Sequence, residues 1–302
     1  MLQAQDAPVA LSRTRPAPDA GFMVASGPPY ARFLRQIHGI LKPDWYLEIG
    51  TNRGASLKLA PGKSVAVDPR FTMADNAVLE KPACLFFQQT SDDFFANPTV
   101  RGLGLRYDLA FLDGLHLFEF LLRDLMNTER CMTPGGVVLM HDTAPFTHNM
   151  TARTQVRGAW TGDVWKVLPI LRRYRPEVTI THLDLAPTGL AMLTGLGTGN
   201  TALDDNYDAI MAEFLPMTLA DYNATRYFDE FPLVDAMAVL SELEAPAEVA
   251  VVAAVEPARQ GTEGCSQIDR ETKGIPMTPP RPAVVDAVQS SQRQLFTKRW
   301  VS

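Results

Sequence analysis

Between Tyr30 and Leu193 the sequence alternates short apolar runs with longer amphipathic ones, each bounded by Gly, Pro, Asp or Asn. No other feature limits the fold so tightly. Ala31, Leu34, Ile37, His38 and Leu41 share one face of a helix that stops at Pro43, and a buried strand follows at 45–49. A Gly-containing turn then leads into a helix expected from about Ala55. Further strands are expected at 64–67, 84–88, 108–112 and 136–140, with helical spacing at Phe118, Leu121, Leu122, Leu125 and Met126, and again at Val164, Val167, Leu168, Ile170 and Leu171. Strands alternating with helices form a largely parallel sheet covered on both faces. The runs at 178–185 and 190–193 are separated only by 186–189, too short for a crossover helix, so they are expected to pair as an antiparallel hairpin. The fold class is therefore α/β, a Rossmann-like sheet of five parallel-type strands plus a terminal hairpin.

The flanks differ in composition. Residues 1–28 are rich in Pro, Ala and Gly and read as a flexible arm, 29–199 as the nucleotide-binding domain, and 200–243 as appended helices carrying Tyr207, Phe214, Tyr222, Tyr227, Phe228 and Phe231. Residues 244–302 lack a core-forming pattern and read as a low-complexity, mostly disordered tail. Across 302 residues, 46% are hydrophobic and 21% charged, which excludes collagen-like and wholly disordered classes. A net charge of −6 gives no electrostatic footprint for nucleic acid. The apolar run from Val249 to Val255 is far short of the roughly 20 residues that span a bilayer. No secretory-signal pattern opens the sequence, and Cys84, Cys131 and Cys265 are too scattered for a disulfide framework, so a cytoplasmic location is expected.

Two sets of residues carry chemistry. The first is Tyr46-Leu47-Glu48-Ile49-Gly50-Thr51-Asn52-Arg53-Gly54-Ala55-Ser56, a strand with an acidic end running into a glycine-bearing turn where backbone can approach a nucleotide. Asn52 tolerates left-handed geometry. The pattern is not G-x-G-x-x-G, which disfavours a nicotinamide dinucleotide. Asp68 ends the next strand, close to the spacing at which a carboxylate takes ribose hydroxyls.

The second set lies at two later strand ends, Asp113 with His116 and His141 with Asp142. In an open parallel sheet these ends share one edge, where ligands bind. Carboxylates suit a divalent cation such as Mg²⁺, and an imidazole beside them suits a general base. Trp160, Asp163 and Lys166 open a further helix, either as core and cap or as a wall that stacks on and orients an acceptor, with Arg153 and Arg157 on a loop before them. His38, His148 and His182 read as structural or surface histidines.

On these residues the stretch from Pro29 to Gly195 resembles the class I S-adenosylmethionine-dependent methyltransferases. The resemblance implies that Glu48, Gly50, Thr51, Asn52, Gly54 and Ser56 form the cofactor turn, that Asp68 holds the ribose, and that Ser91 and Asp92 face the adenine, with Asp93 open as the alternative. Within that family, Asp113, His116, His141 and Asp142 are similar to the metal-dependent sugar O-methyltransferases of the macrocin and mycinamicin type. That branch implies Asp113 as a ligand that also borders the cofactor, His116 as the base, Asp142 as a second ligand and a small-molecule or sugar acceptor. His141 departs, standing where the branch has an acidic residue, which favours Mn²⁺, Fe²⁺ or Zn²⁺ over Mg²⁺. Rival readings are a nicotinamide oxidoreductase and a non-catalytic binding protein of the same fold. A homo-oligomer is compatible with all of these.

Overall fold

The structure is a computed structural model that describes residues 17–245. In chain order its elements are α1 (Tyr30–Leu41), β1 (Trp45–Ile49), β2 (Lys63–Val67), β3 (Cys84–Phe87), α2 (Ser91–Ala96), α3 (Pro98–Gly102), β4 (Tyr107–Leu112), α4 (Phe118–Arg130), β5 (Met132–His141), α5 (Val167–Tyr174), β6 (Thr179–Asp184) and β7 (Leu190–Thr194). There follow α6 (Ala202–Asp205), α7 (Tyr207–Phe214), α8 (Leu219–Tyr222), α9 (Ala224–Glu230), β8 (Val234–Asp235) and α10 (Ala236–Glu244). The strands form one sheet in the order β3-β2-β1-β4-β5-β7-β6-β8. The first five are mutually parallel, and β7 runs antiparallel to both β5 and β6. The expected sheet and terminal hairpin are thus observed. No helix among the described residues is long and apolar enough to cross a membrane.

Side chains alternate across the sheet and bury both faces. Leu47, Ile49, Val65, Val67, Ala110 and Leu112 pack with Phe118, Leu121, Leu122 and Leu125 of α4, and with Phe214, Tyr227 and Phe228 of the appended helices. Tyr46, Ala66, Leu109 and Phe111 pack against Phe33, Leu34 and Ile37 of α1 and Leu240 of α10. The helices after 200 are thereby part of the core.

Four expectations are corrected. The helix expected from about Ala55 is a single 3₁₀ turn, Leu57–Leu59, because Pro61 and Gly62 end it just before β2 starts. Strand β5 begins at Met132 rather than 136, since the chain bulges through Pro134 and Gly135 and keeps its pairing with β4. A short eighth strand adds in parallel beside β6. Residues 17–28 are not a loose arm: Phe22 and Ala25 are buried, and the backbone N–H groups of Ser26 and Gly27 donate to Asp184 Oδ1 at 2.6 and 2.9 Å. Pro29 bridges Ala186, so this strap ties the start of α1 to the β6–β7 turn. Residues 1–16 and the tail beyond 245 lie outside the described residues.

Candidate active site

In the order β3-β2-β1-β4-β5, β1 and β4 are neighbours although their connections run to opposite sides, so the crevice beyond their carboxyl ends is the place where this topology opens. A cavity of about 520 Å³ lies there, within the range that admits a nucleotide-sized ligand.

At one end of it the chain leaves β1 through Gly50. Its φ is +90°, and a Cβ there would lie 2.0 Å from the Asp113 carbonyl oxygen, so only glycine lets β1 and β4 finish side by side. Asn52 is left-handed (φ 46°), and its N–H donates to Asp68 Oδ2 at 2.8 Å, while Arg70 N–H donates to Asp68 Oδ1 at 2.7 Å. Asp68 is thus fixed by backbone donors at the cavity wall. Thr51, Asn52 and Ser56 also line it.

Two expected cofactor residues lie elsewhere. Glu48 is fully buried beneath the turn, where Tyr46 Oη donates to it at 2.7 Å; burial pushes its carboxyl up to about 7 despite hydrogen bonds from Tyr46, Thr51 and Ser56. Gly54 packs against Met73 and Ala77. Both support the turn from outside the cavity. Beyond β3, Ser91, Asp92 and Asp93 all line the cavity at the start of α2. Asp92 takes a two-pronged ion pair from Arg123 at 2.9 and 2.7 Å, whereas Asp93 accepts from Thr90 Oγ1 at 2.7 Å.

At the other end, Asp113, His116, His141 and Asp142 converge from the ends of β4 and β5. His116 Nε2 lies 3.2 Å from Asp142 Oδ2 and 3.5 Å from Asp113 Oδ1. His141 Nδ1 lies 3.4 Å from each of the same two oxygens. Burial disfavours charge here, yet the facing imidazoles hold both carboxylates below their ordinary range. For His141 burial likewise opposes charge, and Asp142 and Asp113 outweigh it, holding the ring well above the usual imidazole range. His116 Nδ1 is 2.9 Å from the Trp160 carbonyl oxygen, and the two rings stack at 5.0 Å. A carbonyl can only accept, so Nδ1 carries the proton and the Nε2 lone pair of the neutral ring faces the carboxylates.

This set fits a divalent cation. One ligand atom each from Asp113, His141 and Asp142 lies within 4.8 Å of the others, and neither ring nitrogen of the buried His141 makes a hydrogen bond. Thr188 Oγ1 holds Asp142 Oδ1 at 2.5 Å, which leaves Oδ2 for the centre.

Of the three residues expected at the acceptor wall, Trp160 is half-buried and stacks on His116, while Asp163 and Lys166 are corrected. Both are buried, 2% and 1% exposed, and paired at 2.8 Å. Asp163 also accepts from the Phe118 N–H at 2.9 Å and from Arg153 at 2.5 Å, so it anchors the start of α4 and the preceding loop. Its own helix it does not cap. His38 and His182 are buried away from the cavity, and burial pushes each down to about 4, against the backbone carbonyl of Phe231 for His182.

Three lining residues escaped the sequence reading: Tyr30, Phe120 and Asp124. Tyr30 follows two prolines at the head of α1 and lays its ring 4.3 Å from His141, a contact no local pattern announces. Asp124 did carry a signal, a carboxylate among the buried positions of α4; burial raises it to about 7 although Ser91 hydrogen-bonds it.

Residues 47–143, less than half of the chain, match the family model described as a methyltransferase domain. No curated protein matches the sequence. Among solved structures, an O-methyltransferase from Bacillus cereus in complex with SAH is 16% identical, with 55% of this chain and 80% of that one aligned and a TM-score of 0.44. The O-methyltransferase TomG from Streptomyces achromogenes, involved in tomaymycin synthesis and complexed with SAM, is also 16% identical, over 56% and 80%, with a TM-score of 0.41. The described sheet and the family match together give the chain a methyltransferase-like α/β domain centred on residues 47–143.

Proposed function

We propose that this chain is an S-adenosylmethionine-dependent methyltransferase that acts on a hydroxyl group of a small molecule or sugar. One observation carries the reading: a glycine turn with a backbone-fixed carboxylate, Asp68, opens into the same cavity as two carboxylates and two imidazoles from adjacent strand ends. The first half of that constellation suits a nucleoside, the second the activation of a hydroxyl.

The cofactor, when bound, supplies a methyl group activated on a sulfonium. Asp68 accepts from the ribose hydroxyls with the lone pairs that Asn52 and Arg70 leave over. Ser91 and Asp92 border the base, and Arg123 holds the Asp92 carboxylate in one orientation. Gly50, Thr51 and Asn52 bring backbone close to the remainder, over the Asp113 carbonyl.

At the chemical end His116 Nε2 removes the proton from the acceptor hydroxyl as that oxygen attacks the methyl carbon. The Trp160 carbonyl keeps the ring in the tautomer this needs, and Asp142 and Asp113 stabilise the imidazolium that results. Trp160 and Tyr30 present faces on which a flat acceptor or a sugar ring can rest. Asp113, His141 and Asp142 would hold a divalent cation, which supplies Lewis-acid polarisation of the acceptor oxygen.

Calorimetry with S-adenosylhomocysteine and with NAD tests the cofactor assignment, and release of S-adenosylhomocysteine over a panel of hydroxyl acceptors tests the transfer. Binding of the first nucleotide and not the second is expected. Binding of NAD alone would overturn the reading.

A further inference from the structure

His141 is the anomalous member of the chemical end. It is 9% exposed, no hydrogen bond satisfies either ring nitrogen, and its Nδ1 points between two carboxylate oxygens at 3.4 Å from each. A four-coordinate ion with bonds of roughly 2.0–2.1 Å separates neighbouring ligand atoms by about 3.3–3.4 Å. The two nitrogen-to-oxygen spacings match that edge.

The surroundings fix each donor in place. Tyr30 at 4.3 Å and Phe111 at 6.0 Å confine the His141 ring. Asp142 has a left-handed backbone (φ 62°), unusual for a residue with a side chain, and its other oxygen is occupied by Thr188. Such support behind the donors is what orients metal ligands.

We propose that Asp113 Oδ1, His141 Nδ1 and Asp142 Oδ2 form a nitrogen-bearing, three-ligand cation site that selects borderline ions such as Zn²⁺ or Co²⁺ over Mg²⁺. This deepens the transferase reading, on which its catalytic relevance rests, and leaves His116 free to serve as the base. Two carboxylates and a neutral imidazole balance a divalent charge. Mg²⁺ prefers all-oxygen octahedral surroundings at short distances, whereas imidazole suits the later first-row ions. Three protein ligands with an open fourth position is also the arrangement that admits a substrate oxygen.

The test uses the full chain freed of metal with a chelator and titrated calorimetrically with ZnCl₂, CoCl₂ and MgCl₂. Zn²⁺ and Co²⁺ are expected to bind at least about 100-fold tighter than Mg²⁺, and His141→Glu to narrow that ratio by about 10-fold or more. In the unmodified protein, ¹⁵N-histidine spectra should show the Nδ1 resonance of His141 moving on addition of Zn²⁺, which decides the matter even if the variant does not fold. Equal affinity for Mg²⁺, an unchanged ratio in His141→Glu, or a His141 resonance indifferent to Zn²⁺ would each overturn the site. S-Adenosylhomocysteine titrated into the same sample separates the two ideas: its failure to bind sinks the transferase reading while leaving metal selectivity standing.

Discussion

The two ends of the cavity are built in contrasting ways. At the nucleotide end, the glycine turn and Asp68 lie within 20 residues of each other, and the contacts that fix Asp68 are backbone N–H groups of Asn52 and Arg70. At the chemical end, Asp113, His116, His141 and Asp142 depend on partners spread over the chain: Tyr30 before the sheet, Trp160 on a loop and Thr188 in the β6–β7 turn. A site fixed by its own backbone tolerates distant change. One assembled from remote side chains inherits the condition of every element that delivers them. The comparison predicts that perturbations divide by end, with affinity for the cofactor governed by the first and turnover by the second.

The sharpest division is expected for His116→Gln. Loss of a general base costs about 10²- to 10⁴-fold in rate, so turnover should fall by that factor while affinity for S-adenosylhomocysteine stays within about twofold of the parent. A matching loss of affinity would erase the distinction between the ends.

Next in size is Lys166→Met, which leaves the buried Asp163 short of a partner. Breaking a buried pair costs about 3–5 kcal/mol, and Arg153 compensates in part, so thermal denaturation should show a loss towards the lower figure. Because Asp163 anchors both α4 and the loop of Trp160, the surviving folded protein should lose turnover before it loses cofactor affinity.

Glu48→Gln probes the nucleotide end through pH. The folded-state pKa of Glu48 is raised from 4.5 to about 7, so the protonated acid stabilises the fold fully below about pH 4.5, and that stability is lost as pH rises towards 7. The span corresponds to about 3 kcal/mol. Denaturant titrations should therefore find this decline in the parent and a flatter profile in the variant. An unchanged profile would show that Glu48 is ionised in the fold.

The smallest effect is expected for Asp68→Ala, about 10-fold in affinity for S-adenosylhomocysteine through loss of charge-assisted hydrogen bonds. Stability should change little. Calorimetry that returns the parent affinity would remove Asp68 from the ribose site.

The same contrast explains what the sequence disclosed. Strand ends and turns are local, so β1, β2, β4 and the convergence of Asp113, His116, His141 and Asp142 could be read from apolar runs and their polar termini. A helix after Gly54 was expected from the usual rhythm, and failed because five residues between Ala55 and Pro61 leave room for one turn only. Asp163 and Lys166 look like surface charges in a list of letters. Their burial follows from a guanidinium ten residues away and an amide 45 residues away, distances at which composition says nothing. Tyr30 was invisible for the same reason, since its place over His141 depends on residues 17–28 packing against Asp184.

That strap sets an order of events during synthesis. Ser26, Gly27 and Pro29 pair with Asp184 and Ala186, so the first described segment of the chain has no docking site until nearly two-thirds of the sequence has been made. At roughly 5–20 residues per second, the interval between translation of Tyr30 and that of its clamp is about 10–30 s. During it the glycine turn and Asp68 can already be in place on β1 and β2, while the tyrosine face over His141 waits for the hairpin. A nascent chain thus acquires the nucleotide end first and closes the chemical end last.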